Sequence, residues 1–123
     1  MATRVLQVED DPEQAVLYAQ VLEMSGYEVT TVATAEEAQA CLTDTAYALL
    51  LVDWDLGSGM KGDALICWIK VHAPDTKTIL FSNHSQVDDF AAACDADGWF
   101  RKIEGIAPLR RLVMQLVPPD NHA

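Results

Sequence analysis

Positive charge is scarce in this chain: 8 Lys and Arg stand against 19 Asp and Glu in 123 residues, for a formal net charge of -11. A surface that grips nucleic acid or an anionic membrane needs clustered cations, so neither is an expected partner. The pair Arg110 and Arg111 reads as a solvated helix face. Cysteine is sparse as well. Cys41, Cys67 and Cys94 are odd in number, widely spaced and set among apolar residues, which excludes a disulfide framework or a thiolate metal site and leaves reduced core thiols. No apolar run approaches the ~18 residues of a membrane span, and no basic-then-apolar leader opens the sequence, so a cytoplasmic location is expected. Internal repeats, long linkers and low-complexity tracts are also missing.

What is present is apolar content: half of the residues are hydrophobic, enough for one domain with a sizeable core and too little for two. The expectation is a single domain over residues 1–123, with a core at about 4–117 and a frayed tail at 118–123. Short runs rich in Val, Leu and Ile alternate with longer amphipathic stretches, the pattern of a doubly wound α/β fold with a parallel sheet and helices on both faces.

Residues 4–8 read as the first strand. Pro12 then stands where a helix takes its first residue, with Asp10 or Asp11 ahead of it as cap, and Gly26 closes that helix. Residues 28–32 form a second, more polar strand suited to an outer position. Thr34 and Glu37 are spaced as a capping box for a helix running to about Thr43. Residues 47–52 lack polar alternation, as expected of a central strand covered on both faces, and the run ends abruptly in Asp53. Gly57, Gly59 and Gly62 mark a loop. Leu65, Ile66, Ile69 and Val71 belong to the helix that follows, which Pro74 stops. Residues 78–81 make a strand ending in Ser82, 87–94 a short helix, 99–100 a short strand running into Arg101 and Lys102, and 108–117 a last helix.

In such a sheet, ligands gather outside the carboxyl ends of the strands. Those ends carry Glu9, Asp10 and Asp11, then Asp53, then Ser82, then Lys102, so carboxylates, one hydroxyl and one ammonium converge on one rim. Clustered carboxylates raise one another's pKa unless a cation compensates, and a hard divalent ion such as Mg²⁺ suits oxygen ligands. Asp10 and Asp53 can supply these, with Glu9 holding a coordinated water. An aspartate can also act as a nucleophile toward phosphorus, provided that the phosphoryl charge is neutralised; Lys102 can contribute to that, and Ser82 can donate to a phosphate oxygen once it is attached. Asp11 is left as a structural cap.

On these residues the chain resembles a response-regulator receiver from about residue 4 to 117. The resemblance rests on the acidic pair Glu9 and Asp10 after the first strand, a phosphoacceptor Asp53 after the third, the hydroxyl of Ser82 after the fourth and Lys102 after the fifth. It implies a five-stranded sheet in the order 2-1-3-4-5, Mg²⁺ as cofactor, and a phosphoryl group received from a histidine kinase or phosphotransfer protein. It further implies that Asp53, Lys102 and Ser82 do the chemistry. The metal is then held by Glu9, Asp10, Asp53 and the main-chain carbonyl of Asp55, and Ser82 and Trp99 act as the switch pair. The resemblance also implies that the surface of the fourth helix, fifth strand and last helix changes on activation; with no output domain following in this sequence, the expected readout is contact with a downstream protein or transfer of the phosphoryl group onward.

The chain departs from the family pattern in places. Ile103 follows the lysine where receivers usually have Pro, which predicts a trans Lys102–Ile103 peptide and a rerouted loop absorbed at Gly105. Gly57 stands where a Pro is usual, Gly62 comes about one residue late, and Asn83 replaces a small residue. His84 either faces the site or stands in solvent. Two other functions compete: a phosphatase of the haloacid dehalogenase type using Asp53 and Asp55, and a degenerate receiver that binds partners without being phosphorylated.

Overall fold

A computed structural model describes residues 3–57 and 59–119 of the chain. Elements follow as β1 (Thr3–Val8), α1 (Pro12–Met24), β2 (Tyr27–Val32), α2 (Ala35–Asp44), β3 (Leu49–Asp53), α3 (Gly62–His72), β4 (Lys77–Ser82), α4 (Val87–Cys94), β5 (Gly98–Arg101), a 3₁₀ turn at Lys102–Glu104, and α5 (Ile106–Leu116). The strands form one parallel sheet in the order β2-β1-β3-β4-β5, as the resemblance implies. The frayed tail expected at 118–123 falls largely on residues 120–123, which lie outside the described residues.

Successive side chains of a strand point to opposite faces, and the central strands are apolar on both. Leu6, Val8, Leu50, Val52 and Leu80 face α2, α3 and α4, packing on Ala38, Leu65, Ile66, Ile69, Val87 and Ala91. Val5, Leu49, Leu51, Ile79 and Phe81 face α1 and α5, packing on Tyr18, Leu22, Leu109 and Val113. No described helix is long and apolar enough to cross a membrane.

Local signals act largely as the sequence predicts. Asp11 caps α1 by accepting from the Glu13 N–H at 3.0 Å, and Thr34 caps α2 by accepting from Glu37 N–H at 3.1 Å. The Thr34–Glu37 box closes through the threonine hydroxyl, which donates to Glu37 Oε1, rather than through the Thr34 N–H.

Several boundaries differ. Gly62 is the first residue of α3 rather than part of the loop. A Cβ there would lie 2.5 Å from the Asp53 carbonyl oxygen and 2.9 Å from Trp54 Cα, so the helix starts against the end of β3 at a distance only glycine permits. Val71 lies on α3 but is 75% exposed, because two residues beyond Ile69 is about 200° around a helix. The last helix begins at Ile106, ahead of Pro108; a proline is tolerated in a first turn, where N–H groups have no helical partner.

Candidate functional site

The carboxyl ends of β1, β3 and β4 and the segment after β5 enclose a cleft of about 400 Å³ lined by Asp10, Asp11, Gln14, Asp53, Trp54, Asp55, Gly57, Ser82, Asn83, His84 and Lys102. Its floor is an ionic knot. The Lys102 ammonium donates to Asp53 Oδ2 at 2.7 Å, to Gln14 Oε1 at 2.7 Å and to Glu9 Oε1 at 3.0 Å. Glu9 and Asp53 are buried, and Glu9 is held by its backbone N–H, which donates to the Val32 carbonyl at 3.0 Å.

Burial drives the Glu9 pKa up to about 8, assisted by the hydrogen bond and negative charge of Asp53 and opposed by Lys102. For Lys102, burial works against the ammonium but is outweighed by Asp53 and Glu9, so its pKa is raised. The acidic cluster is therefore under-compensated by one lysine. One carboxylate oxygen from each of Glu9, Asp10 and Asp53 lies within 4.8 Å of the other two, and Glu9 Oε2 is buried without a hydrogen-bond partner. Such a set fits a hard divalent cation.

Asp55 is placed differently from those three. Its backbone N–H donates to Asp53 Oδ1 at 3.0 Å, while its own carboxylate accepts from Gly57 N–H and from Lys61 Nζ, each at 3.3 Å. The Gly57 N–H and then Lys61 hold this carboxyl below the usual carboxylate range. Lys61 also donates to the Gly57 carbonyl at 2.9 Å, closing the loop on itself. Gly57 has φ +74°, a conformation that proline, locked near -65°, cannot take.

Ser82 is buried at the end of β4 and accepts from the His84 N–H at 3.0 Å, which ties the start of the next loop to the hydroxyl. His84 is exposed yet rims the cleft, so both of its readings hold; its ring sits 5.3 Å from that of Trp54, and Trp54 stacks on Phe90 of α4 at 4.6 Å. Trp99 lies outside the cleft. It is 38% exposed on β5, in a groove with Asp88, Ala92 and Leu112, and the Arg101 guanidinium stands 5.0 Å from its ring centre. No peptide among the described residues is cis, so Lys102–Ile103 is trans, and Gly105 takes φ +89° where the segment after the 3₁₀ turn meets α5.

Two features in and around the site went unread in the sequence. Gln14 gave no signal, since a polar residue in the first turn of a helix is ordinarily solvated. The stack of Trp54 on Phe90 joins residues too far apart in sequence for any local pattern to link.

A family model described as the response regulator receiver domain matches residues 5–112. The nitrogen assimilation regulatory protein NtrX of Azorhizobium caulinodans is 32% identical over 94 residues, which cover 76% of this chain and 21% of that protein. The chain thus spans about a fifth of the length of this curated relative. Among solved structures, the response regulator protein TrrA from Thermotoga maritima, in complex with Mg²⁺ and BeF, superposes with a TM-score of 0.86 at 27% identity, covering 94% of this chain and 99% of that one. The receiver domain of NtrX from Brucella abortus gives 0.84 at 26% identity, covering 92% and 97%.

Proposed function

The chain belongs to the response regulator receiver domain family of two-component signalling, and from that premise we propose that it accepts a phosphoryl group on Asp53, with Mg²⁺, from a histidine kinase or phosphotransfer protein. The observation that carries this reading is the meeting of Asp53, Lys102, Glu9 and Asp10 in one cleft. Glu9, Asp10 and Asp53 would hold the ion, together with the Asp55 carbonyl. Mg²⁺ supplies positive charge to the phosphoryl oxygens when bound.

The rest falls to the chain. A carboxylate oxygen of Asp53 forms the new bond to phosphorus as the donor's P–N bond, or the P–O bond of an acyl phosphate, breaks with its electron pair on the leaving group. Lys102 neutralises charge on the transferred oxygens, and its 2.7 Å contact places it beside the nucleophile beforehand. Ser82 donates to the attached group, drawing on the loop it already anchors through His84. Output runs through the surface of α4, β5 and α5, with Trp99 as the reporter of the switch, to a downstream protein.

The phosphatase reading is disfavoured by Asp55. A general acid must carry a proton near neutral pH, and this carboxyl is held ionised by the Gly57 N–H and Lys61. The purely binding reading is disfavoured by a fully assembled acid and lysine set. The test is incubation with a small acyl-phosphate donor: protein-bound phosphate should form only with Mg²⁺ and be released by hydroxylamine, as an acyl phosphate is. Steady release of inorganic phosphate from a phosphomonoester, without a bound species, would favour the phosphatase.

A further inference from the structure

An ammonium has three N–H donors, and in Lys102 all three are engaged. Two acceptors, Asp53 and Glu9, are carboxyl members of the acidic cluster; the third, Gln14 Oε1 at 2.7 Å, is an amide oxygen outside it. Resting on the reading that Asp53 is phosphorylated, we propose that Gln14 is a positioning residue for that reaction, anchoring the tip of Lys102 from α1 so that the ammonium keeps its place when the carboxylates turn to new partners.

The need for such an anchor follows from the base of the lysine. Lys102 opens a 3₁₀ turn that ends at Glu104, and Gly105 follows with φ +89° and open space where a Cβ would stand, so the backbone is not braced by packing at Gly105. A four-carbon stem on such a base has many rotamers; burial against Phe81 narrows them, and contacts at the far end fix where the ammonium stands.

Gln14, by contrast, sits on a fixed support. Its helix starts with Pro12 under the Asp11 cap. The neighbouring carbonyl of Ala15 accepts from the buried Gln7 Nε2 at 2.9 Å, pinning the first turn of α1 to the carboxyl end of β1. That bond also gives a role to an amide otherwise out of place in a strand core.

The neutrality of the anchor matters. A carboxylate at this position would compete for the ammonium's charge and repel an incoming phosphoryl group, whereas an apolar side chain would leave the tip unheld.

The experiment compares the whole chain with Gln14→Met, Gln14→Glu and, as a control on exposed α1 surface, Gln20→Met. It reads the rate of Asp53 phosphorylation by acetyl phosphate at saturating Mg²⁺, Mg²⁺ affinity from Trp fluorescence, and the thermal melt. Gln14→Met should slow the saturating rate about tenfold, with Mg²⁺ affinity and melt nearly unchanged. Gln14→Glu should slow it as well while tightening Mg²⁺ binding, a split that a merely structural role would not produce. Gln20→Met should match wild type. Either Gln14 variant reacting within about twofold of wild type, on the same scale of positional effects, would overturn the proposal. A wild type that takes no phosphoryl group would overturn the phosphoacceptor reading beneath it.

Discussion

Lys102 Nζ lies 2.7 Å from Asp53 Oδ2, although the two residues are 49 positions apart and stand at the carboxyl ends of β5 and β3, which are not neighbours in the sheet. The contact bridges over β4 and brings the one ammonium lining the cleft among the described residues against the buried carboxylate. Removing it should therefore affect both stability and chemistry.

Lys102→Met leaves Glu9 and Asp53 facing each other without compensation. Breaking a buried pair by deleting one partner costs on the order of 3–5 kcal/mol. Denaturant melts at pH 8 without Mg²⁺ should show a loss of that order, Mg²⁺ should return part of it, and phosphorylation should fall steeply in either condition. An unchanged melt would mean that the knot contributes nothing.

The under-compensated cluster also predicts metal linkage. Mg²⁺ should stabilise the fold by about 2.7 kcal/mol at ~100 times its dissociation constant, and Asp10→Asn should shrink that gain. Coincident thermal melts of wild type with and without millimolar Mg²⁺ would refute the site.

Gly62 makes a sharper structural prediction. An alanine Cβ would stand 2.5 Å from the backbone oxygen of Asp53, so α3 or the end of β3 must shift. Gly62→Ala should cost about 1–3 kcal/mol, as overpacking does, and slow phosphorylation by displacing Asp53. A wild-type melt and rate would contradict the close approach.

Asp97 gives a pH signature away from the site. Burial would raise its pKa, but the Thr78 backbone N–H at 2.8 Å, Lys70 at 3.4 Å and the Thr78 hydroxyl outweigh burial and lower it. A carboxyl depressed on folding adds stability above its unfolded pKa of about 3.9 and loses it as pH falls through the folded value. Asp97→Asn should flatten that acid limb, and Asp97→Ala should cost about 1.5–3 kcal/mol near neutral pH, the worth of hydrogen bonds to a charged group. Equal slopes for wild type and Asp97→Asn below pH 4 would remove this role.

The sequence made the rim of the site readable because topology does the assembling. Once the apolar runs ending in Glu9, Asp53, Ser82 and the segment before Lys102 are taken as parallel strands, their carboxyl ends must share an edge. Trp99 was legible as an edge-strand aromatic, but its place beside Arg101 depends on how α4 and α5 pack. Gln14 and Asp97 were illegible for a common reason. Each is a polar residue whose meaning comes from one distant partner, Lys102 or Thr78, and neither spacing nor periodicity encodes such a pair. Gly62 looked like one more loop glycine, since a backbone approach has no sequence pattern of its own. The start of α5 lies two residues ahead of the 108 that the sequence predicts, because Pro108 suits a first helical position but occupies the third.

The central claim is that Asp53 is the phosphoacceptor, and intact-mass measurement after incubation with acetyl phosphate and Mg²⁺ tests it most directly. Wild type should gain one phosphoryl group per chain, lose it slowly on removal of the donor, and gain none when Mg²⁺ is chelated; Asp53→Asn should gain none in any condition. An unmodified wild type under conditions that phosphorylate other receivers, or an Asp53→Asn variant modified to the same extent, would contradict the account.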